Sequence, residues 1–479
     1  MAFLPLILWS DVLIWLLVLA GGVFAGLSSR NPPLRAAWRR VGRSRPGMAA
    51  ATVLLAFVLV GLLDSLHYRP RLENKGGEVA SQAPVAYAVE VLSLLDTLAS
   101  PLRTRNEKTY SEPLATRAYA KESIEVRAAD GQMQALRDYP RLKFGGAHLG
   151  EQEEQRAGDI AKRLLVAICF ALLLSAGLAL GAASLLVLQQ GGLRSAAWRS
   201  IWRGETEFAW NAVLAAFCGL LLVLLPIILL CGDYHVFGTD KVGQDVFYQI
   251  LKSVRTALVI GLVTTLVMLP LSIFLGIVAG YFRGWVDDLI QYLYTTLSSI
   301  PGVLLIAAAV LMMQVVIDTH PDWFATAAER ADLRLLALCA ILGVTSWTGL
   351  CRLLRGETLK LRELEYIQAA QAFGVSDLRI IARHILPNLM HIVIIALVMD
   401  FSSLVLAEAV LSYVGIGVDP TMISFGTMIN NARMELAREP MVWWSLAAAF
   451  FFMLALVLAA NLLADAVRDA FDPRMAGST

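Results

Sequence analysis

Three chemical signatures are missing from this chain: the GxxxxGK[ST] loop that cradles nucleotide phosphates, the HExxH zinc site and the GxSxG nucleophile elbow. Their absence makes an enzyme, and nucleotide binding by this chain itself, the least favoured readings. Charge is scarce too, since Asp, Glu, Lys and Arg make up 16% of the 479 residues, against about 25% in ordinary soluble domains. The formal net charge of +1 provides no concentrated basic face of the kind nucleic-acid phosphates require. Cysteine is sparse and unpatterned: Cys169, Cys218, Cys231, Cys339 and Cys351 lie in or beside apolar runs with no CxxC spacing. They read as small fillers and leave the redox compartment open. What the chain has in abundance is hydrophobic side chains, 57% of the total, with a mean hydropathy of +0.64.

A spanning helix needs about 20 apolar residues, because only a helix satisfies its own backbone in hydrocarbon. Runs at 3–27, 47–66, 162–189, 208–231, 254–281, 286–315, 334–353, 389–410 and 443–466 meet that need. The fold class expected is all-α and polytopic, with about nine spans. No basic residue precedes the first run and Arg30, Arg35, Arg39, Arg40, Arg43 and Arg45 follow it, so a retained helix with its start outside is favoured over a signal peptide. Alternation then places inside the loop with Arg283, the loop 355–388 and the tail with Arg468 and Arg474. Residues 67–160 are polar and form an external domain or loop; within it, 81–100 carries Val85, Val89, Leu92 and Leu95 at helical spacing, suited to packing within its own domain.

The loop 355–388 reads as two short helices around a tight turn. Gly374 can adopt the left-handed conformation that ends a helix, Ser376 can cap the next, and Pro387 is expected to stop or kink that second helix before the membrane. Leu359, Tyr366, Ala370 and Phe373 give the first helix, 357–373, one apolar face. Headgroups, the chain's own membrane domain and another protein are three covers for that face, and periodicity does not choose among them.

Beyond periodicity, Gln368-Ala369-Ala370, Gly374 and His384-Ile385-Leu386-Pro387 resemble the EAA motif of binding-protein-dependent ABC importer permeases, with Gln368 where a glutamate is usual. FGTDKVGQDV (237–246) resembles the GTDxxGRDV segment of the dipeptide/oligopeptide/nickel branch, with Gln244 replacing arginine. AGYFRGWVD (279–287), LSYVGIGV (411–418) and NLLADAVRDAFDPR (461–474) look like further blocks in the same order. The resemblance covers roughly 236–474, the C-type permease, and leaves the first two hundred residues as an extension.

The resemblance implies an inner-membrane permease, multi-pass, with its N-terminus outside and its C-terminus cytoplasmic, importing peptides or related small solutes. Implied partners are a second permease, two ATP-binding subunits, an extracytoplasmic solute-binding protein and membrane lipid. ATP and Mg would reside on the partner subunits and no cofactor on this chain. The expected layout is 1–66, two helices; 67–160, the external segment; 161–231, two helices; and 232–474, the permease core with coupling loop 354–388. In that loop the resemblance assigns ATPase coupling to Tyr366, Gln368, Ala369, Ala370, Phe373, Gly374, Ser376 and Pro387. Asp400, Glu408 and Pro301 are candidates for lining the passage or shaping the bundle, since membrane carboxylates must face protein or water. Pro270 and the Gly276/Gly280 step belong with them as packing features, and Asp465 with Arg468 reads as a surface pair. The rival functional readings are an ion-coupled secondary transporter, for which intramembrane ionisable residues are few, and a scaffold whose external segment is the working part.

Overall fold

The computed structural model describes residues 3–71, 87–127, 133–150, 152–190, 194–204, 206–324 and 326–471. Strand β1 (Phe3–Pro5) precedes helices α1 (Trp9–Arg30), α2 (Pro32–Arg43) and α3 (Arg45–Asp64). After them come β2 (His67–Pro70), β3 (Leu92–Ser93), the short helices α4 (Leu94–Leu98) and α5 (Ser100–Thr104), and the hairpin of β4 (Glu122–Arg127) and β5 (Met133–Asp138). Three helices follow, α6 (Arg156–Gln190), α7 (Arg194–Arg203) and α8 (Trp210–Leu230). The remainder is α9 (Val246–Phe282), α10 (Gly284–Ser299), α11 (Gly302–Thr319), α12 (Ala327–Arg362), α13 (Glu365–Ala372), α14 (Asp377–Ile380), a π turn at Ile381–Ile385, α15 (Leu386–Tyr413), α16 (Phe425–Glu435) and α17 (Trp444–Phe471).

Nine helical runs among the described residues are long and apolar enough to cross a bilayer, in an all-α polytopic chain. One expected span is corrected. The apolar run at 286–315 is broken, because Pro301 forces Ile300 into an extended conformation. The half before it, α10, is amphipathic, and only α11 qualifies as a crossing. The amphipathic helix expected at 81–100 is also not a single helix: Val85 lies outside the described residues, Leu92 is in β3, Leu95 is buried in α4, and Val89 is exposed.

The chain divides into two compact units, one of Met1–Leu6, Gly42–Thr256 and Ile423–Ala459, the other of Ile7–Val41, Ala257–Met422 and Ala460–Thr479. In the first, β1, β2 and β3 form a small antiparallel sheet and β4 pairs with β5. The end of α3 and the polar segment after it are fastened to the start of α9 and the loop before it by buried charge. Lys252 Nζ donates to Asp64 Oδ1 at 2.7 Å and lies 3.1 Å from Asp96 Oδ1, which also accepts from Tyr248 at 2.8 Å. The Glu107 carboxylate accepts the amides of Lys143, Phe144 and Gly145 at 2.8, 2.8 and 3.0 Å. Gly243 is required beside it, because its φ is +74° and an added Cβ would lie 1.9 Å from the Glu107 carbonyl oxygen.

His235 closes this cluster. Its Nδ1 is 2.8 Å from Asp245 Oδ2, and its Nε2 faces Glu107 Oε1 at 3.4 Å, an ion-pair distance rather than a well-aligned hydrogen bond. Burial alone would lower the His235 pKa, but the Asp245 and Glu107 carboxylates raise it to about 9. Burial would raise Glu107, but His235 and the three amides bring it down to about 2. The stability His235 contributes is complete below its ordinary pKa of 6.5 and is lost as pH rises through about 9. That of Glu107 is complete above 4.5 and lost only toward about 2. Wild-type protein in detergent should therefore lose on the order of 3 kcal/mol of stability from this cluster in the alkaline window. Thermal unfolding followed by tryptophan fluorescence should show a decline there that His235→Asn flattens; parallel profiles would refute the clamp.

In the second unit, α9 and α12 approach backbone to backbone. A Cβ at Gly276 would sit 2.9 Å from the Cys351 carbonyl oxygen, and one at Gly280 would sit 2.7 Å from that of Arg355. The Gly276/Gly280 step is thus a packing groove for α12, as small-residue steps allow. Around it, Tyr281, Tyr294, Trp347, Leu354, Ile367, Ile380 and Ile385 share one apolar core. A smaller cluster joins Ala37 and Val41 of α2 to Ile394, Val467, Ala470 and Phe471, and Ser10 donates its amide to buried Asp332 at 3.1 Å. Asp465 and Arg468 are both exposed and not ion-paired with each other, unlike the surface pair expected.

Candidate functional site

The polar stretch that follows α12 is built on its neighbours in the second unit. The chain does not form one helix over 357–373. Residues through Arg362 continue α12, Leu364 turns extended, and α13 starts at Glu365. This break redirects the chain so that Ile367 is completely buried while Tyr366 remains 46% exposed. The face expected from spacing is accordingly divided. Leu359 and Ala370 are half-buried, with Ala370 packed on the core, whereas Phe373 is 87% exposed.

Gly374 ends α13 with φ +71°. The Gly374 amide donates to the Gln371 carbonyl at 2.9 Å and the Val375 amide to that of Ala370 at 3.1 Å. This pair of bonds is a Schellman closure, and Val375 and Ala370 supply its apolar contact on the same core. Ser376 stands at the start of α14 but makes no side-chain cap. Its carbonyl accepts from Arg379 and Ile380 at 2.9 and 3.0 Å, and the adjoining Asp377 is the residue whose side chain is anchored. Tyr281 Oη donates to Asp377 Oδ1 at 2.7 Å and accepts from Gln371 Nε2 at 3.1 Å. One tyrosine at the end of α9 therefore holds both sides of the Gly374 elbow.

Pro387 does not stop the second helix. The π turn at Ile381–Ile385 changes the hydrogen-bond register, and Pro387 then falls in the first turn of α15, where no amide is needed. Asn388 Nδ2 donates to the His384 carbonyl at 2.7 Å and to Tyr366 Oη at 3.2 Å. Gln368 and Ala369 are exposed, and Gln368 Nε2 reaches the Glu363 carbonyl at 3.3 Å.

Two residues that spacing did not single out secure the base of the loop. Asp287 in α10 accepts both Nε and an NH2 group of Arg355 at 2.5 and 2.6 Å. The Arg355 hydrogen bonds hold the Asp287 carboxyl below its ordinary pKa. Asp287 and Tyr281 both fall within the 279–287 block, but the identity of their partners, 68 and 96 residues away, was not written there. Arg283 pairs with Glu363, and the Arg362 guanidinium lies 5.6 Å from the Tyr281 ring centroid.

The other candidates are dispersed. Pro301 is exposed just before α11, Asp400 is half-buried in α15, and Glu408, 1% exposed, accepts from Ser412 Oγ at 2.6 Å. The loop is thus a surface piece of rigid geometry, with Leu364, Tyr366, Phe373 and Leu378 all exposed. Such an element can transmit a push between proteins and has no assembled set of reacting groups.

Residues 272–477 match the family model described as binding-protein-dependent transport system inner membrane component. The chain is 31% identical over 315 residues to the glutathione transport system permease protein GsiD of Pectobacterium atrosepticum, covering 61% of this chain and 96% of that protein. It is 32% identical over 242 residues to the oligopeptide transport system permease protein OppC of Mycobacterium tuberculosis, covering 50% and 77%. The dipeptide transport system permease protein DppC of Bacillus subtilis is 29% identical over 241 residues, covering 50% and 69%. With the Gly374 elbow inside the matched region, this multi-pass chain belongs to the binding-protein-dependent inner-membrane components, the permeases of peptide-type ABC importers.

Proposed function

We propose that the chain imports peptides or related small solutes, with the loop 354–388 receiving the stroke of a separate ATP-binding subunit. The observation that carries this is the Gly374 elbow, braced from behind by Tyr281 and the buried Ile367 and Ile380, while Phe373 points outward at 87% exposure. A part that must deliver displacement has to be stiff on its own side and apolar on the partner's. Tyr366, Ala369, Phe373 and Leu378 would meet the ATPase, whereas Ala370, Gly374, Ser376 and Pro387 would set the shape that it meets. Gln368 would contribute an uncharged hydrogen-bonding contact.

ATP and Mg would be held by two such subunits, and a second permease and an extracytoplasmic solute-binding protein would complete the assembly. This arrangement requires the N-terminus outside and the loop in the cytoplasm. Asp400, Glu408 and Pro301 would shape or line the passage.

Phe373→Asp places a charge in the proposed contact and should reduce co-purification of the ATPase subunit about tenfold, as expected for an exposed aromatic anchor. The variant's unfolding temperature should stay at the wild-type value. Undiminished co-purification, or labelling of Phe373→Cys from the outer side only, would overturn the reading.

A further inference from the structure

In the first unit, the N-terminal ends of α3 and α8 border a cavity of about 270 Å³ lined by Arg43, Arg45, Gly204, Thr206, Glu207, Ala209 and Asn211. We infer that this cavity binds a phosphate group, the headgroup phosphodiester of an anionic phospholipid being the source its position favours.

The local backbone builds the site. The Ala209 amide donates to the Gly42 carbonyl at 2.8 Å, tying the loop before α8 to the end of α2, just ahead of α3. Gly204 has φ +72°, and a Cβ there would fall 2.8 Å from an Arg45 NH2 group and 3.5 Å from Asn211 Nδ2. The glycine therefore lets the Arg45 guanidinium lie against this turn, with Asn211 Nδ2 close by. Asn211, which also lines the cavity, has its Oδ1 engaged by the Ala212 amide at 2.8 Å, so Nδ2 is the group it has to offer. Among the described residues, neither Arg43 nor Arg45 forms an ion pair. Among the described residues that line the cavity, two guanidinium groups accompany one carboxylate, that of Glu207, and a planar fork of donors suits phosphate oxygens.

Position supplies the second argument. The cavity lies where two strongly apolar helices, α3 and α8, begin, so its depth is that of the headgroups. Beside it, α7 carries Arg199 and Arg203 with Trp198 and Trp202 exposed, and buries Ile201 against Ala183 and Leu186. Basic and tryptophan side chains on one short helix, with an apolar residue turned inward, are the composition of a helix lying at a bilayer surface. Assigning this leaflet to the cytoplasmic side rests on the orientation proposed above; the binding itself does not.

The test is native mass spectrometry of the detergent-purified full-length chain, with phosphatidylglycerol or phosphatidylcholine added. Wild-type protein should retain phosphatidylglycerol selectively. The double variant R43Q/R45Q should retain it about tenfold less, while R43K/R45K, which keeps the charge but not the fork, should fall between that variant and wild type, separating lost charge from misfolding. Retention that millimolar inorganic phosphate does not displace supports the lipid as source, and displacement supports a free phosphate in the same cavity. Equal retention by wild type and R43Q/R45Q would overturn the site. The readout needs no transport, so its failure is distinct from failure of the importer reading.

Discussion

Gly374→Val should lower uptake at least about tenfold in a strain whose own copy of the chain is deleted, while the assembled complex still hydrolyses ATP. The reason is conformational: Gly374 has φ +71° and nothing lies within 4 Å of where its Cβ would be. A substitution there produces no clash, so its cost is backbone strain alone, about 1–2 kcal/mol for an L residue in the left-handed region. That is enough to displace the Schellman closure and shift Phe373 relative to Asp377, both of which the elbow positions. A graded series follows from the same cause. Gly374→Asn, which tolerates the left-handed region, should be mildest, Gly374→Ala intermediate and Gly374→Val most severe. Uptake that is equal across the series, or lost in proportion to side-chain volume, would show that the elbow is not what carries the stroke.

Asp287→Leu should cost about 2–3 kcal/mol, seen as a lowered unfolding temperature in detergent. It leaves the Arg355 guanidinium beside the α9–α12 groove without its bidentate partner, and the side chains of the two residues are only 12% and 21% exposed. Removing one member of a largely buried pair strands the other charge, whereas replacing both removes the desolvation cost along with the attraction. The double variant Asp287→Leu/Arg355→Met should therefore recover most of the lost stability. A double variant as unstable as the sum of the single ones would mean that the pair acts through each residue's separate contacts.

Several features were legible in the sequence because they depend on local chemistry. Apolar run length alone placed nearly every span, and the positive φ of Gly374 was readable from a glycine between two helical patterns. Where the reading failed, a neighbour distant in sequence had intervened. The helix expected at 357–373 breaks because burying Ile367 on the core of α9, α10 and α12 requires a change of direction at Leu364. Ser376 offers no cap, and the side chain anchored there is that of its neighbour Asp377, held by Tyr281 from α9. Pro387 leaves the helix intact because a π turn absorbs the missing donor, and no spacing rule announces a π turn.

Composition and periodicity by themselves determined that this chain lies in a membrane, crosses it repeatedly and carries an interrupted polar stretch near 355–388. Each follows from the cost of leaving backbone or charge unsatisfied in hydrocarbon, a cost that acts residue by residue. Only the tertiary structure decided which side of that stretch is held and which is free. Tyr281, Asp287 and the glycines at 276 and 280 reach it from other helices, and contacts between residues so far apart in sequence exist only once the chain has packed.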